Sequence, residues 1–186
     1  GGCVADGTRG RSRPVALPDR VFEGGGRGSR VTDTEADALK NGQTARDLAL
    51  AVLEEAETCT LATAAPDGTP EAATVRFVAD EEYSVYVNTA TTYRKYENLT
   101  ANPQVAVVVD GGRENIQLEG TARELDGAEE TAVHERYVEK YGQSDYLTNE
   151  HSTCFEIAPD WARLLYDGRF PPDYAMLVGD GRTEVH

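Results

Sequence analysis

Apolar positions along this chain first recur at helical spacing and then at every second residue, and the alternation of these two periods lays out the elements. Ala45, Leu48, Ala49, Val52, Leu53 and Ala56 form one helical stripe. Thr32, followed three residues later by Glu35, has the pattern of a capping box, so the expected helix runs from there to about Glu57. From Cys59 the period becomes two. CTLATAA leads through the turn PDGTP into EAATVRFVA, where Ala73, Val75, Phe77 and Ala79 point one way and Thr74 and Arg76 the other. A turn at 80–82 and the strand YSVYVN complete an expected antiparallel meander.

The polar stretch TATTYRK then opens a short helix, RKYENLTAN, which Pro103 stops. QVAVVVD reads as a strand buried on both faces. In NIQLEGTARELD, residues Ile116, Leu118, Gly120 and Ala122 share a face, with Gly120 marking a bulge or a close backbone approach. A helix from about Ala128 to Tyr141 carries Val133, Tyr137 and Tyr141 in an i, i+4 series. STCFEIAPDWARLLYDG is a last long strand bent near Pro159, and the residues after it show no clear period. The predicted fold is mainly β (α+β): six antiparallel strands closing into a small barrel, with an N-terminal covering helix and two crossover helices.

Charge divides the chain. Residues 1–30 carry six Arg against three acids, a net +3, while residues 31–186 carry 12 basic against 30 acidic residues, a net −18. Residues 1–31 have a Gly/Arg-rich composition with no apolar period, as expected of a disordered tail, leaving a domain over 32–167 and a C-terminal tail over 168–186. Such an acidic body repels itself unless salt screens it, which points to a halophilic cytoplasm of high ionic strength. With no basic stripe in the body, nucleic acid is not an expected partner. No apolar run is long enough to form a membrane-spanning helix, and no secretory apolar segment is present, so the expected location is cytoplasmic. Cys3, Cys59 and Cys154 form no CxxC and leave one unpaired in any disulfide scheme.

Candidate chemistry centres on Thr91, Thr92, Arg94 and Lys95 at the start of the short helix, with Arg76 on a neighbouring strand. A helix N-terminus attracts anions and disfavours cations, so two adjacent cations there point to a bound anion such as phosphate. The competing reading is a solvated pair bridged to surface acids such as Glu97 or Asp80. His134, His151 and His186 show no metal-ligand spacing, and no nucleophile motif is present.

The segments CTLATAAPDGTPEAATVRF, VYVNTATTYRKYENLTANPQVAVVV and IQLEGTARELD together resemble the pyridoxamine 5′-phosphate oxidase-like, FMN-binding split barrels, over about residues 44–166. The resemblance implies a homodimer with FMN at its interface. It assigns the phosphate to Arg76, Arg94, Lys95 and the hydroxyl of Thr91 or Thr92, and the ring to Val75, Phe77, Asn88 and Thr89, with Gln117 able to reach the cofactor. It further implies a flavin-dependent oxidoreductase acting on an unidentified small molecule, without naming a catalytic acid or base. The deazaflavin F420 is the alternative cofactor, and a non-catalytic flavin or haem binder the alternative role.

Overall fold

The computed structural model describes residues 44–179. Its first helix, α1 (Ala45–Glu55), begins at a capping box formed by Thr44 and Asp47, in which each side chain bonds the other's backbone N–H. The expected start at Thr32 is therefore corrected: Thr44 is extended and begins the helix, while Thr32 and Glu35 lie outside the described residues. A Thr-x-x-Asp box works like Thr-x-x-Glu, because either carboxylate can reach the N-cap N–H. Ala45, Ala49, Val52 and Leu53 are the buried face of α1.

Strands β1 (Thr58–Ala64), β2 (Pro70–Ala79) and β3 (Val85–Ala90) form the meander. Helix α2 (Arg94–Ala101) crosses to β4 (Gln104–Asp110), which pairs with β5 (Asn115–Glu124). Helix α3 (Gly127–Tyr141) crosses to the long strand β6 (Ser152–Asp167). All pairings are antiparallel, in the order β3-β2-β1-β4-β5-β6, and β3 pairs with β6 to close a six-stranded barrel. The expected barrel and its two crossover helices are thus present.

Two features differ from expectation. Residues Asp173–Val178 form an extra strand, β7, on the second half of β6, where a tail was expected. Its side chains are exposed or half-buried on both faces, so no period marks it in the sequence. Strand β4 buries one face only, with Val105, Val107 and Val109 inside and Val108 39% exposed. In the single chain a barrel wall has one dry side, and β4 is no exception. As expected, β6 is irregular near Pro159, where it absorbs a register shift opposite Glu119 and Gly120. A Cβ at Gly120 would stand 2.2 Å from the Ala158 carbonyl oxygen, so only glycine lets the two strands approach this closely.

The barrel interior holds Leu61, Phe77, Val85, Val87, Val107, Ile116, Leu118, Phe155, Ile157 and Leu164, all almost wholly buried. Burying a side chain of this type contributes roughly 1.5–3 kcal/mol. A second apolar cluster, Val78, Leu125, Val133, Tyr137, Leu147 and Cys154, seats α3 on the outside of the wall.

Candidate functional site

The ladder between β2 and β3 is short, joining only Phe77–Ala79 to Val85–Val87. Continued one step, its register would pair Arg76 with Asn88. Instead the Tyr137 hydroxyl of α3 enters the gap, donating to the Arg76 carbonyl at 2.8 Å and accepting the Asn88 N–H at 3.1 Å. One helical turn later the Tyr141 hydroxyl occupies the other edge of β2, 2.5 Å from the Phe77 carbonyl oxygen and 2.8 Å from that of Glu57. Burial holds both phenols above the ordinary tyrosine range, so they stay protonated donors. Two side chains spaced i, i+4 on one helix face thus replace missing ladder bonds and hold the split open.

The split opens into a cavity of about 260 Å³ lined by Thr74, Val75, Arg76, Asn88, Tyr93 and Lys95 from the barrel side, and by Tyr137, Tyr141 and Tyr146 from α3 and the loop after it. The Arg76 guanidinium lies 5.0 Å from the Tyr141 ring centroid and the Lys95 ammonium 4.7 Å from that of Tyr93. Among the described residues neither cation has a carboxylate partner, although the chain carries 33 acids. No side chain caps the N-terminus of α2, where Lys95 sits. A larger cavity, about 560 Å³, lies between α1 and α3, but Glu54, Asp80, Glu81 and Glu139 outnumber Arg136 and Lys140 on its wall, so it does not suit an anion.

Of the residues expected at the site, Val75, Arg76, Asn88 and Lys95 are brought together at this cavity. Arg94 turns away, its Nε 3.2 Å from the Glu71 carboxylate, which also accepts the Asn98 amide at 3.0 Å. That half of the cation pair is a surface ion pair, though with Glu71 and not with the acids named from sequence. Phe77 is wholly buried in the core and offers the split only its backbone. Thr89 is buried, its hydroxyl facing Tyr146. Thr91 donates its N–H to the His151 carbonyl at 2.8 Å, and Thr92 is exposed. Gln117 sits on the outward face of β5, accepting Arg163 Nε at 2.9 Å, and does not line the cavity.

Sequence reasoning missed the part played by Tyr137 and Tyr141, because their spacing reads as apolar packing and hides the work of their hydroxyls. It also missed a cluster behind Asn88. Glu130 and His134 of α3 and Cys154 of β6 place their potential ligand atoms within 4.8 Å of one another. No local spacing could announce it, since Cys154 comes from another element.

The family described as pyridoxamine 5′-phosphate oxidase matches residues 45–166, which is more than half of the chain. No curated protein sequence matches. Among solved structures, the haem storage protein HutZ of Vibrio cholerae is 22% identical, with a TM-score of 0.55 over 60% of this chain and 87% of its own. General Stress Protein 26 of Bacillus anthracis is 17% identical, with a TM-score of 0.55 over 70% of this chain and 97% of its own. An F420 reductase is 24% identical, with a TM-score of 0.50 over 60% of this chain and 93% of its own. At these identities the likeness establishes the fold, while the carriers named differ from one neighbour to the next. With the matched segment spanning α1 to β6 and the barrel closed as a split barrel, the chain belongs to the pyridoxamine 5′-phosphate oxidase family.

Proposed function

We propose that this protein is a homodimeric FMN-dependent oxidoreductase in which the split between β2 and β3 holds the phosphate end of the cofactor. The observation that carries the reading is a pair of cations, Arg76 and Lys95, that have no carboxylate partner among the described residues and face one cavity in a chain of net charge −15. Arg94, Arg123 and Arg169, by contrast, each pair with a carboxylate. A phosphate dianion would neutralise both, Arg76 through its planar fork and Lys95 as a point charge. The exposed hydroxyl of Thr92 and the uncapped N–H groups of α2 supply further donors. Releasing Glu71 would let Arg94 join them.

At about 260 Å³ the cavity falls below the roughly 300–1,000 Å³ of sites that enclose a drug-sized ligand, so it fits the phosphate and its chain better than a three-ring system. The ring would lie at the mouth, along Val75 and Asn88, with Tyr93 and Tyr146 offering aromatic faces. A second copy would cover it. The outward row Val108, Gln117, Arg163 and Met176 runs across β4 to β7, with Val108 39% and Met176 40% exposed. Gln117, remote from the cavity of its own chain, would reach the cofactor held by the other.

The flavin would supply the redox chemistry, passing hydride or electrons between a nicotinamide donor and a small acceptor. This chain's residues would bind, orient and exclude water, with the Tyr137 hydroxyl fixing the backbone of Arg76 and Asn88 on either side of the site. The test is the spectrum and mass of whatever co-purifies with the full chain in high salt, followed by FMN titration of the stripped protein. A flavin spectrum with one FMN per chain is expected. A colourless protein that takes up no added FMN overturns the reading, while a deazaflavin mass would reassign the site to F420 and a haem spectrum to haem.

A further inference from the structure

Behind the cavity wall, three side chains of different chemistry converge, two from α3 and one from the apolar cluster that seats it. Glu130 and His134 stand one helical turn apart on α3, with Glu130 Oε1 4.0 Å from His134 Nε2. Cys154 faces them from β6, where it is paired with Asn88 of β3 and wholly buried. Asn88 binds both: its Nδ2 lies 3.4 Å from His134 Nε2 and 3.4 Å from Cys154 Sγ. The Ser152 hydroxyl donates to Asn88 Oδ1 at 2.7 Å, which fixes the orientation of the amide. Nδ2 can only donate, so in this contact Nε2 would serve as the acceptor. The amide thus meets the nitrogen and sulfur lone pairs that a metal ion would take.

From this geometry we infer that Glu130, His134 and Cys154 form a binding site for a borderline divalent cation of the Zn²⁺ class, holding it through one oxygen, one nitrogen and one sulfur. Thiolate with imidazole selects such ions over magnesium or calcium, which prefer oxygen ligands alone. Bond lengths of about 2.0–2.3 Å at a tetrahedral centre put ligand atoms roughly 3.3–3.6 Å apart. The three present atoms lie within 4.8 Å of one another, and the Glu130 side chain, 28% exposed, has room to swing in. Binding displaces the Cys154 proton to solvent, and the cation then pairs the thiolate that burial otherwise disfavours. Three protein ligands leave the fourth position to water. The Asn88 amide, displaced from the two lone pairs, would turn toward the cavity it lines, so the ion would set the orientation of a residue at the flavin site.

The site does not depend on FMN and is tested without it. The full chain is treated with chelator, dialysed and titrated with Co²⁺, whose thiolate charge-transfer and tetrahedral d–d bands report the ligand set, and then with Zn²⁺ in competition. One Co²⁺ per chain with a thiolate band, bleached by stoichiometric Zn²⁺, is expected. Cys154→Ser should abolish the thiolate band. His134→Gln and Glu130→Gln should each weaken binding by more than the roughly 10–100-fold that follows loss of a supporting partner. Glu135→Gln, exposed on the same helix, should bind as the parent does. If Cys154→Ser does not fold, the two partly exposed positions on α3 decide the matter. Absence of a cobalt–thiolate band, or a band and affinity unchanged in His134→Gln and Glu130→Gln, overturns the inference.

Discussion

The seam between β4 and β5 and the seam between β2 and β3 are built from the same kind of strand and end differently. The first pairs every residue from Gln104 to Asp110 with Asn115 to Thr121 and packs Val105, Val107, Ile116 and Leu118 behind it. The second stops after Phe77–Ala79 and Val85–Val87, and a helix inserts the Tyr137 hydroxyl where ladder bonds would continue, with Tyr141 bonding the other edge of β2. At the second seam lie the cations without carboxylate partners, the uncapped helix end and the Glu130–His134–Cys154 cluster. A sealed seam can only contribute stability. An unsealed one presents polar backbone and side chains to a ligand, provided something else keeps it from collapsing.

The contrast is broken most directly by Arg76→Ala with Lys95→Ala. Each charge-assisted hydrogen bond is worth roughly 1.5–3 kcal/mol, so FMN binding should weaken by about 3–6 kcal/mol, a hundredfold or more. The unfolding midpoint should hardly move, because neither cation is in an ion pair with the described residues. Fluorescence titration and thermal melts read the two quantities separately. At the sealed seam Leu118→Ala should do the reverse, costing about 2–5 kcal/mol of stability while the remaining folded protein binds FMN as before.

Tyr137→Phe lies between these extremes. It leaves the Arg76 carbonyl and the Asn88 N–H without their partner, at about 1–3 kcal/mol, and should weaken both stability in urea and FMN affinity. The same phenols predict an alkaline limit. Tyr86, Tyr137 and Tyr141 all have folded-state pKa values raised above the ordinary 10.0, first by burial. Their contribution is complete below pH 10 and is lost as pH rises above it, since the unfolded chain then releases protons that the folded chain keeps. Lys140 opposes this, its pKa lowered from 10.5 by burial, but Tyr146 and Tyr166, also raised by burial, add to the three phenols. Urea midpoints on either side of pH 10 should therefore fall with pH, and fall less steeply in Tyr137→Phe.

The smallest effect sharpens the comparison at the helix end. Tyr93→Asp gives α2 the side-chain N-cap that Thr44 gives α1, which should stabilise the unliganded protein by about 0.5–2 kcal/mol. It also sets a carboxylate beside Lys95, where the proposed phosphate would lie. Melting temperature should rise while FMN affinity falls, and a parallel change in both would remove the argument for an end left open to a ligand.

What was legible in the sequence follows from how locally each feature is encoded. Alternation at Ala73 to Ala79 and at Ile116 to Ala122 is written residue by residue, and so is the need for a small residue at Gly120, so strands, crossovers and bulge were all readable. That Arg76 and Lys95 deserved notice was readable because charge in an acidic chain is conspicuous, and the fold sets both on one cavity. The direction of Arg94 was not, since Glu71 reaches it only once β2 has folded back along β1. Phe77 was placed at the ligand by its strand and is removed from it by the strand's face. The start of α1 was misplaced because two boxes of equal quality, at Thr32 and Thr44, precede one stripe. Strand β7 escaped notice because it packs too little to be constrained.

That last strand alters how copies of this chain can meet. β3 pairs with β6 to close the barrel, and β7 runs along the second half of β6 from Asp173 to Val178. Its outer backbone groups form a margin where a stray chain seeking a β-partner can add, distinct from the stretch of β2 before Phe77 that β3 leaves unpaired at the split. The short length of β7 and the acidic Asp173 at its start make it a poor template, so this margin is guarded against strand-exchange aggregation.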